Sequence, residues 1–150
     1  MNIYISSSWK NRKEVRKLAT SLINLSYTVY DFTNPNCRKT QEIPPELFPE
    51  QFDPDIHNYF DYLNRPEWKA AVEENYQAIK NCNLIILLLP CGIDATADWA
   101  LGVGMGKDSI IVGHPKKGDR SPVHLWTNKI VGTTDQAIDW ILKGDYRYED

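Results

Sequence analysis

Leu84 to Leu89 is an unbroken apolar run with no polar residue alternating through it, and it limits the architecture more than any other part of the chain. A strand with one face in water alternates apolar and polar residues. A run without alternation belongs to a strand buried on both faces, as at the centre of a parallel sheet with helices on each side. The run is far too short to span a bilayer.

The flanking residues supply those helices. Pro66 suits the first helical turn, and Trp68, Val72, Tyr76 and Ile79 form one predicted stripe leading into the run. After Pro90-Cys91-Gly92, a helix is predicted over Asp94 to Gly106 and a short buried strand over Ser109 to Val112. Near the start, Asn2 to Ser6 reads as a strand, followed by a helix with Val15, Leu18, Ala19, Leu22 and Ile23 on its buried side. Tyr27 to Phe32 is a second β-rich segment, left through Asn34-Pro35. Thr133 and Gln136 have capping-box spacing ahead of a last helix with an Ala137, Ile138, Ile141 and Leu142 stripe. Strands alternating with helices imply right-handed crossovers. The expected fold is α/β, a single doubly wound parallel sheet of flavodoxin-like or Rossmann-like type.

At 150 residues the chain accommodates one domain, expected over 1–150. One stretch breaks the rhythm. Between Asn36 and Glu67 stand five of the nine prolines and seven acids against three bases, with Phe48, Phe52, Tyr59, Phe60 and Tyr62 adding apolar surface. An ordered flap inserted after the second strand, over 36–67, is the expectation.

Charge and cysteine content exclude several functions. A net charge of −3 provides no field for a nucleic-acid polymer or an acidic membrane, so neither is expected as a partner. Met1 to Lys10 lacks the pattern of a signal peptide, which makes a cytoplasmic location the expectation. Cys37, Cys82 and Cys91 contain no CxxC pair and read as reduced thiols. His57, His114 and His124 have no ligand spacing, so no metal is expected. Gly102, Gly104, Gly106 and Lys107 do not make a Walker loop, because Asp108 follows the lysine.

In an open parallel sheet, ligands bind beyond the carboxyl ends of the strands. The residues collected there are Ser6, Ser7, Ser8 and Trp9 after the first strand, Asp31 and Asn34 after the second, Pro90, Cys91, Gly92 and Asp94 after the third, and His114 after the fourth. The serines precede a helix start with Lys10, Arg12 and Lys13 nearby, which suits a phosphate or sugar; helix capping beside a solvated basic face is the alternative. Asp94 and Asp98 are one helical turn apart and should face the crevice together. Alternatively, Asp94 is an N-cap and Asp98 a solvated first-turn acid. Cys91 is either a thiol activated near a helix N-terminus or a small buried side chain.

The segments Ile3-Tyr4-Ile5-Ser6-Ser7-Ser8-Trp9-Lys10-Asn11-Arg12, Val29-Tyr30-Asp31-Phe32-Thr33-Asn34-Pro35 and Leu88-Leu89-Pro90-Cys91-Gly92 resemble the nucleoside 2-deoxyribosyltransferase-like family, whose superfamily is similar to TIR domains. The resemblance extends through Ala100 to Lys107 and the closing helix. It implies a flavodoxin-like fold and hydrolysis or transfer at the N-glycosidic bond of a small nucleoside, nucleotide or NAD-like substrate, with NAD a substrate rather than a cofactor. Homo-oligomers are common in similar families. The family's acid after the Pro-Cys-Gly segment, usually glutamate, corresponds to Asp98, the expected catalytic carboxylate. Ser6, Ser7, Asp31 and Asp94 are expected to orient the substrate, with flap aromatics stacking on the base. Here aspartate is one methylene shorter, and two acids expected before the central strand are Asn75 and Asn83. Those departures also fit a non-catalytic nucleotide-binding or TIR-like signalling module.

Overall fold

The computed structural model describes residues 1–34, 36–37, 52–116 and 121–144. Among these, five parallel strands, β1 (Asn2–Ser6), β2 (Thr28–Asp31), β3 (Leu84–Leu88), β4 (Asp108–Val112) and β5 (Lys129–Val131), lie in the order β2-β1-β3-β4-β5. The helices are α1 (Arg12–Asn24), α2 (Tyr59–Leu63), α3 (Pro66–Asn81), α4 (Ile93–Gly104) and α5 (Thr134–Lys143). This is the doubly wound α/β fold expected, and β3 is its central strand.

The strand pleat divides the core. Leu84, Ile86 and Leu88 pack with Ile3, Ile5, Leu18, Leu22, Ile110 and Trp140 on one side. Ile85, Leu87 and Leu89 pack with Tyr4, Ile79, Trp99 and Ile111 on the other. Both faces of β3 are therefore covered, which is why its sequence has no alternation.

Local chemistry sets the helix boundaries. Pro66 opens α3, and Thr133 and Gln136 form a complete capping box on α5. Ser8 caps a 3-10 turn, Trp9–Asn11, that leads into α1. The fourth helix occupies Ile93–Gly104, one residue earlier at its start and two shorter at its end than expected. Gly92 is its N-cap, so the alternative of Asp94 in that role does not hold.

Several expected core positions are corrected. On α3 the inward residues are Ala71, Ala78 and Ile79, whereas Val72 and Tyr76 are exposed. Small side chains let α3 settle close to the sheet, which turns the bulkier neighbours outward. On α5 Trp140 is buried in place of Leu142, and on α1 Ile23 faces solvent. The fifth strand was not anticipated. It is pinned beside β4 where Asn128 Oδ1 accepts from Ser109 N at 2.8 Å and Thr127 Oγ1 accepts from Ser109 Oγ at 3.1 Å.

Of the expected insertion over 36–67, residues 38–51, including Phe48, lie outside the described residues. The remainder includes α2, whose N-cap Asn58 accepts from Phe60 N and Asp61 N. There Phe52, Tyr62 and Trp68 form a run of ring contacts, with centroids 4.9 Å and 5.7 Å apart. Among the described residues, no helix is long and apolar enough to cross a membrane.

Candidate functional site

The carboxyl end of β1 and the start of α4 are stitched together. Ser6 Oγ, buried, donates to Ala95 O at 2.8 Å, and Ser7 Oγ donates to Leu88 O at 2.7 Å. From that junction α4 runs back over the sheet, antiparallel to the strands. Stepping back two residues on β1, about 7 Å, and forward three on α4, about 4.5 Å, brings Tyr4 opposite Asp98. Tyr4 Oη donates to Asp98 Oδ2 at 2.8 Å.

A second arm reaches the same carboxylate. Asn75 Nδ2, from α3, donates to Asp98 Oδ2 at 3.4 Å, while Asn75 Oδ1 accepts from Tyr30 Oη at 3.1 Å. Tyr4 and Tyr30 are register partners on β1 and β2, and their rings stack with centroids 5.2 Å apart and planes 7° apart. Both donors therefore converge on Oδ2. Asp98 is half-buried, and among the described residues no hydrogen bond falls on its Oδ1.

Burial raises the pKa of Asp98 above 3.8; the hydrogen bond from Tyr4 acts the other way, and the charge of Asp94 reinforces the rise. Burial also raises the Tyr4 phenol well above its usual value, with Asp98 adding to the effect, so Tyr4 remains a proton donor at neutral pH. The Asp94 side chain is exposed and lies close enough to Asp98 for its charge to be felt, as their four-residue spacing led us to expect.

The other expected site residues fall into two groups. Those engaged in local structure include Asp31, buried, whose Oδ1 accepts from Thr33 N at 2.8 Å and Thr33 Oγ1 at 2.7 Å, closing the turn after β2. Asn34 Oδ1 accepts from Asn36 N, Ser8 Oγ accepts from Lys10 N, and the half-exposed Trp9 packs edge-on against Phe32. Those lining the loop after β3 are Pro90, Cys91 and Gly92; Cys91 Sγ is 3.5 Å from Thr96 Oγ1. Gly113 lets this loop lie close to β4: at φ +96° it occupies a conformation that favours glycine, and a Cβ there would meet Leu89 O at 2.9 Å. His114 is exposed, with its ring beside Gly132.

The two amides standing where acids were expected have different surroundings. Asn83 Oδ1 accepts from Asn2 N at the amino end of the sheet, away from the crevice, whereas Asn75 belongs to the Asp98 cluster. Tyr4 and Tyr30 escaped the sequence reading as site residues because mid-strand tyrosines in an apolar setting read as core. The only available signal was their polar tips, since a buried tyrosine hydroxyl usually has a partner.

No protein-family model matches the chain, and no curated protein matches it in sequence. Solved structures do match. A 2-deoxyribosyltransferase from Bacillus psychrosaccharolyticus superposes with a TM-score of 0.65 at 13% identity, covering 97% of this chain and 96% of that one. A Clostridium botulinum CMP N-glycosidase superposes with a TM-score of 0.52 at 14% identity, covering 96% and 99%. At such identities the likeness is one of fold: over almost its whole length this chain shares the fold of these two proteins.

Proposed function

We propose that this protein cleaves or transfers the N-glycosidic bond of a nucleoside or nucleotide, with Asp98 as the reacting carboxylate. The observation that carries the reading is the asymmetry of that side chain: Tyr4 and Asn75 both donate to Oδ2, and among the described residues no hydrogen bond falls on Oδ1 of the half-buried carboxylate. The shared fold supports it, since one neighbour is a deoxyribosyltransferase and another a CMP N-glycosidase.

The chemistry follows from that arrangement. As the bond between the anomeric carbon and the base nitrogen breaks, its electron pair leaves with the base, which takes a proton from solvent or a bound acid. The ribosyl centre becomes oxocarbenium-like. Asp98 Oδ1 then forms a covalent ester with the anomeric carbon or holds its charge until water or a second base attacks. Tyr4 steadies the opposite oxygen throughout and, with its raised pKa, does not lose its proton. The rings of Phe52, Tyr62 and Trp68 offer a surface for the base. Trp68 precedes Asn75 by seven residues on the same face of α3, about 10 Å nearer the helix start.

The test is chromatography of free base after incubating the protein, and Asp98→Ala, with deoxynucleosides, nucleoside monophosphates and NAD. Release by the native protein and not by the variant supports the reading and names the substrate class. Intact substrates throughout, with one of the compounds raising the melting temperature, would instead assign a sensing module.

A further inference from the structure

We infer that Asn75, fixed by Tyr30, is a positioning residue that decides which oxygen of Asp98 faces the crevice. The inference rests on the proposed glycosidic chemistry for its kinetic consequences, and on geometry alone for the coupling itself.

An amide can present either its oxygen or its nitrogen to a neighbour. A carboxylate only accepts hydrogen bonds, so Asn75 must turn Nδ2 towards Asp98, which leaves Oδ1 for Tyr30 to fill by donation. Tyr30 thereby fixes the amide orientation from the next strand, and its ring is itself fixed by stacking on Tyr4. Tyr4 and Asn75 approach Asp98 from β1 and α3, and both choose Oδ2. One donor alone would let the carboxylate rotate about χ2 and exchange its oxygens. Two donors from different elements make that exchange costly and leave Oδ1 as the oxygen without a donor among the described residues.

An acid at position 75 would act in the opposite sense. It would set a second carboxylate against Asp98, which already has Asp94 one turn before it on α4, and the pair would share a proton instead of presenting a bare oxygen. The groups that face Asp98 are Tyr4 from β1, Asn75 from α3 with Tyr30 of β2 behind it, and Asp94 from its own helix. The amide is the partner that adds a donor without adding charge.

The experiment compares the native protein with Tyr30→Phe, Asn75→Leu, Asn75→Asp and the double variant Tyr30→Phe/Asn75→Leu. Circular dichroism and thermal melts establish that each is folded, and Tyr30→Phe, which removes one oxygen, serves if the Asn75 variants are not. On the substrate identified by base release, Asn75→Leu should lower kcat about 10- to 100-fold with KM changed less than about threefold, the signature of a misplaced reacting group. Tyr30→Phe should lower kcat about two- to tenfold. The double variant should be no slower than Asn75→Leu, because Tyr30 acts through the amide. A ¹³C-NMR titration of the Asp98 carboxyl supplies a readout independent of turnover. Its midpoint should rise from native to Asn75→Leu and further in Asn75→Asp. Coincident midpoints, multiplicative losses in the double variant, or losses confined to KM would each overturn the inference. If the native protein releases no base from any substrate, the glycosidic reading fails, and the order of the titration midpoints still decides whether Asn75 controls Asp98.

Discussion

The Tyr4 hydroxyl donates to Asp98 Oδ2 across 2.8 Å, which ties the middle of the first strand to a helix 94 residues later in the chain. Ionisation of Asp98 is favoured by this bond and opposed by burial and by Asp94. Tyr4→Phe removes the favourable influence while keeping the ring that stacks on Tyr30. The variant should remain folded, lose about 10-fold or more in base release, and show an acid limb in its pH–rate profile displaced to higher pH. A profile superimposable on the native one would disconnect Tyr4 from the chemistry.

Activity and stability should respond in opposite directions to Asp98→Asn. Burial is the largest influence on Asp98 and raises its folded pKa above the ordinary 3.8, so the folded protein holds the proton more tightly than the unfolded chain. Stability contributed by this group is full below the unfolded pKa and falls as pH rises through the folded one, leaving the whole penalty in place at neutral pH. The amide carries no such penalty. Calorimetry at pH 7 should find Asp98→Asn melting above the native protein, with the gap closing as pH falls into the carboxylate range, while base release drops at least about 10³-fold.

Gly113 should not tolerate a side chain. Its φ of +96° and the Leu89 carbonyl 2.9 Å from the position of a Cβ combine backbone strain with a clash against main chain. We expect Gly113→Ala to destabilise the fold by about 2 kcal/mol or more in urea melts. Because the displaced carbonyl precedes the Pro90 to Gly92 loop, turnover measured on the folded fraction should also fall.

The capping box of α5 offers a control on the face of the sheet opposite Tyr4 and the fourth helix. Thr133 Oγ1 accepts from Gln136 N, and Gln136 Oε1 accepts from Thr133 N, both at 3.2 Å. Replacing Thr133 with alanine should lower stability by about 1 kcal/mol and leave kcat and KM unchanged. A kinetic change would show that α5 communicates with Asp98.

Much of the fold was legible because the governing signals are local. The unalternating Leu84 to Leu89 run, Pro66 at a helix start and the Thr133–Gln136 spacing each encode one physical requirement within a few residues. β5 was hidden because a three-residue edge strand with largely exposed side chains has no pattern of its own; Ser109, Thr127 and Asn128 define it through tertiary hydrogen bonds. On α3 the expected stripe holds at Ile79 and the half-buried Trp68 and fails at Val72 and Tyr76, because apolar size alone does not decide burial. The helix turns two alanines and the site amide Asn75 inward and leaves Val72 and Tyr76 outside. Asp98 could be singled out from its place in the chain, but Tyr4 and Asn75 reach it from two other elements, and Tyr30 supports Asn75 from a third. No spacing in the sequence brings those four together.

Tyr4 is 1% exposed, so one of the two groups that hold the Asp98 carboxylate is part of the molecular interior. If Asp98 reacts as proposed, a substrate meets a carboxylate whose direction was settled when the sheet assembled, and encounter does not have to organise it. On the proposed reading, selectivity and reactivity are separable: the loops at the strand ends can diverge to admit different bases and sugars, while the geometry around Asp98 persists for as long as the first strand, the third helix and the fourth helix stay packed.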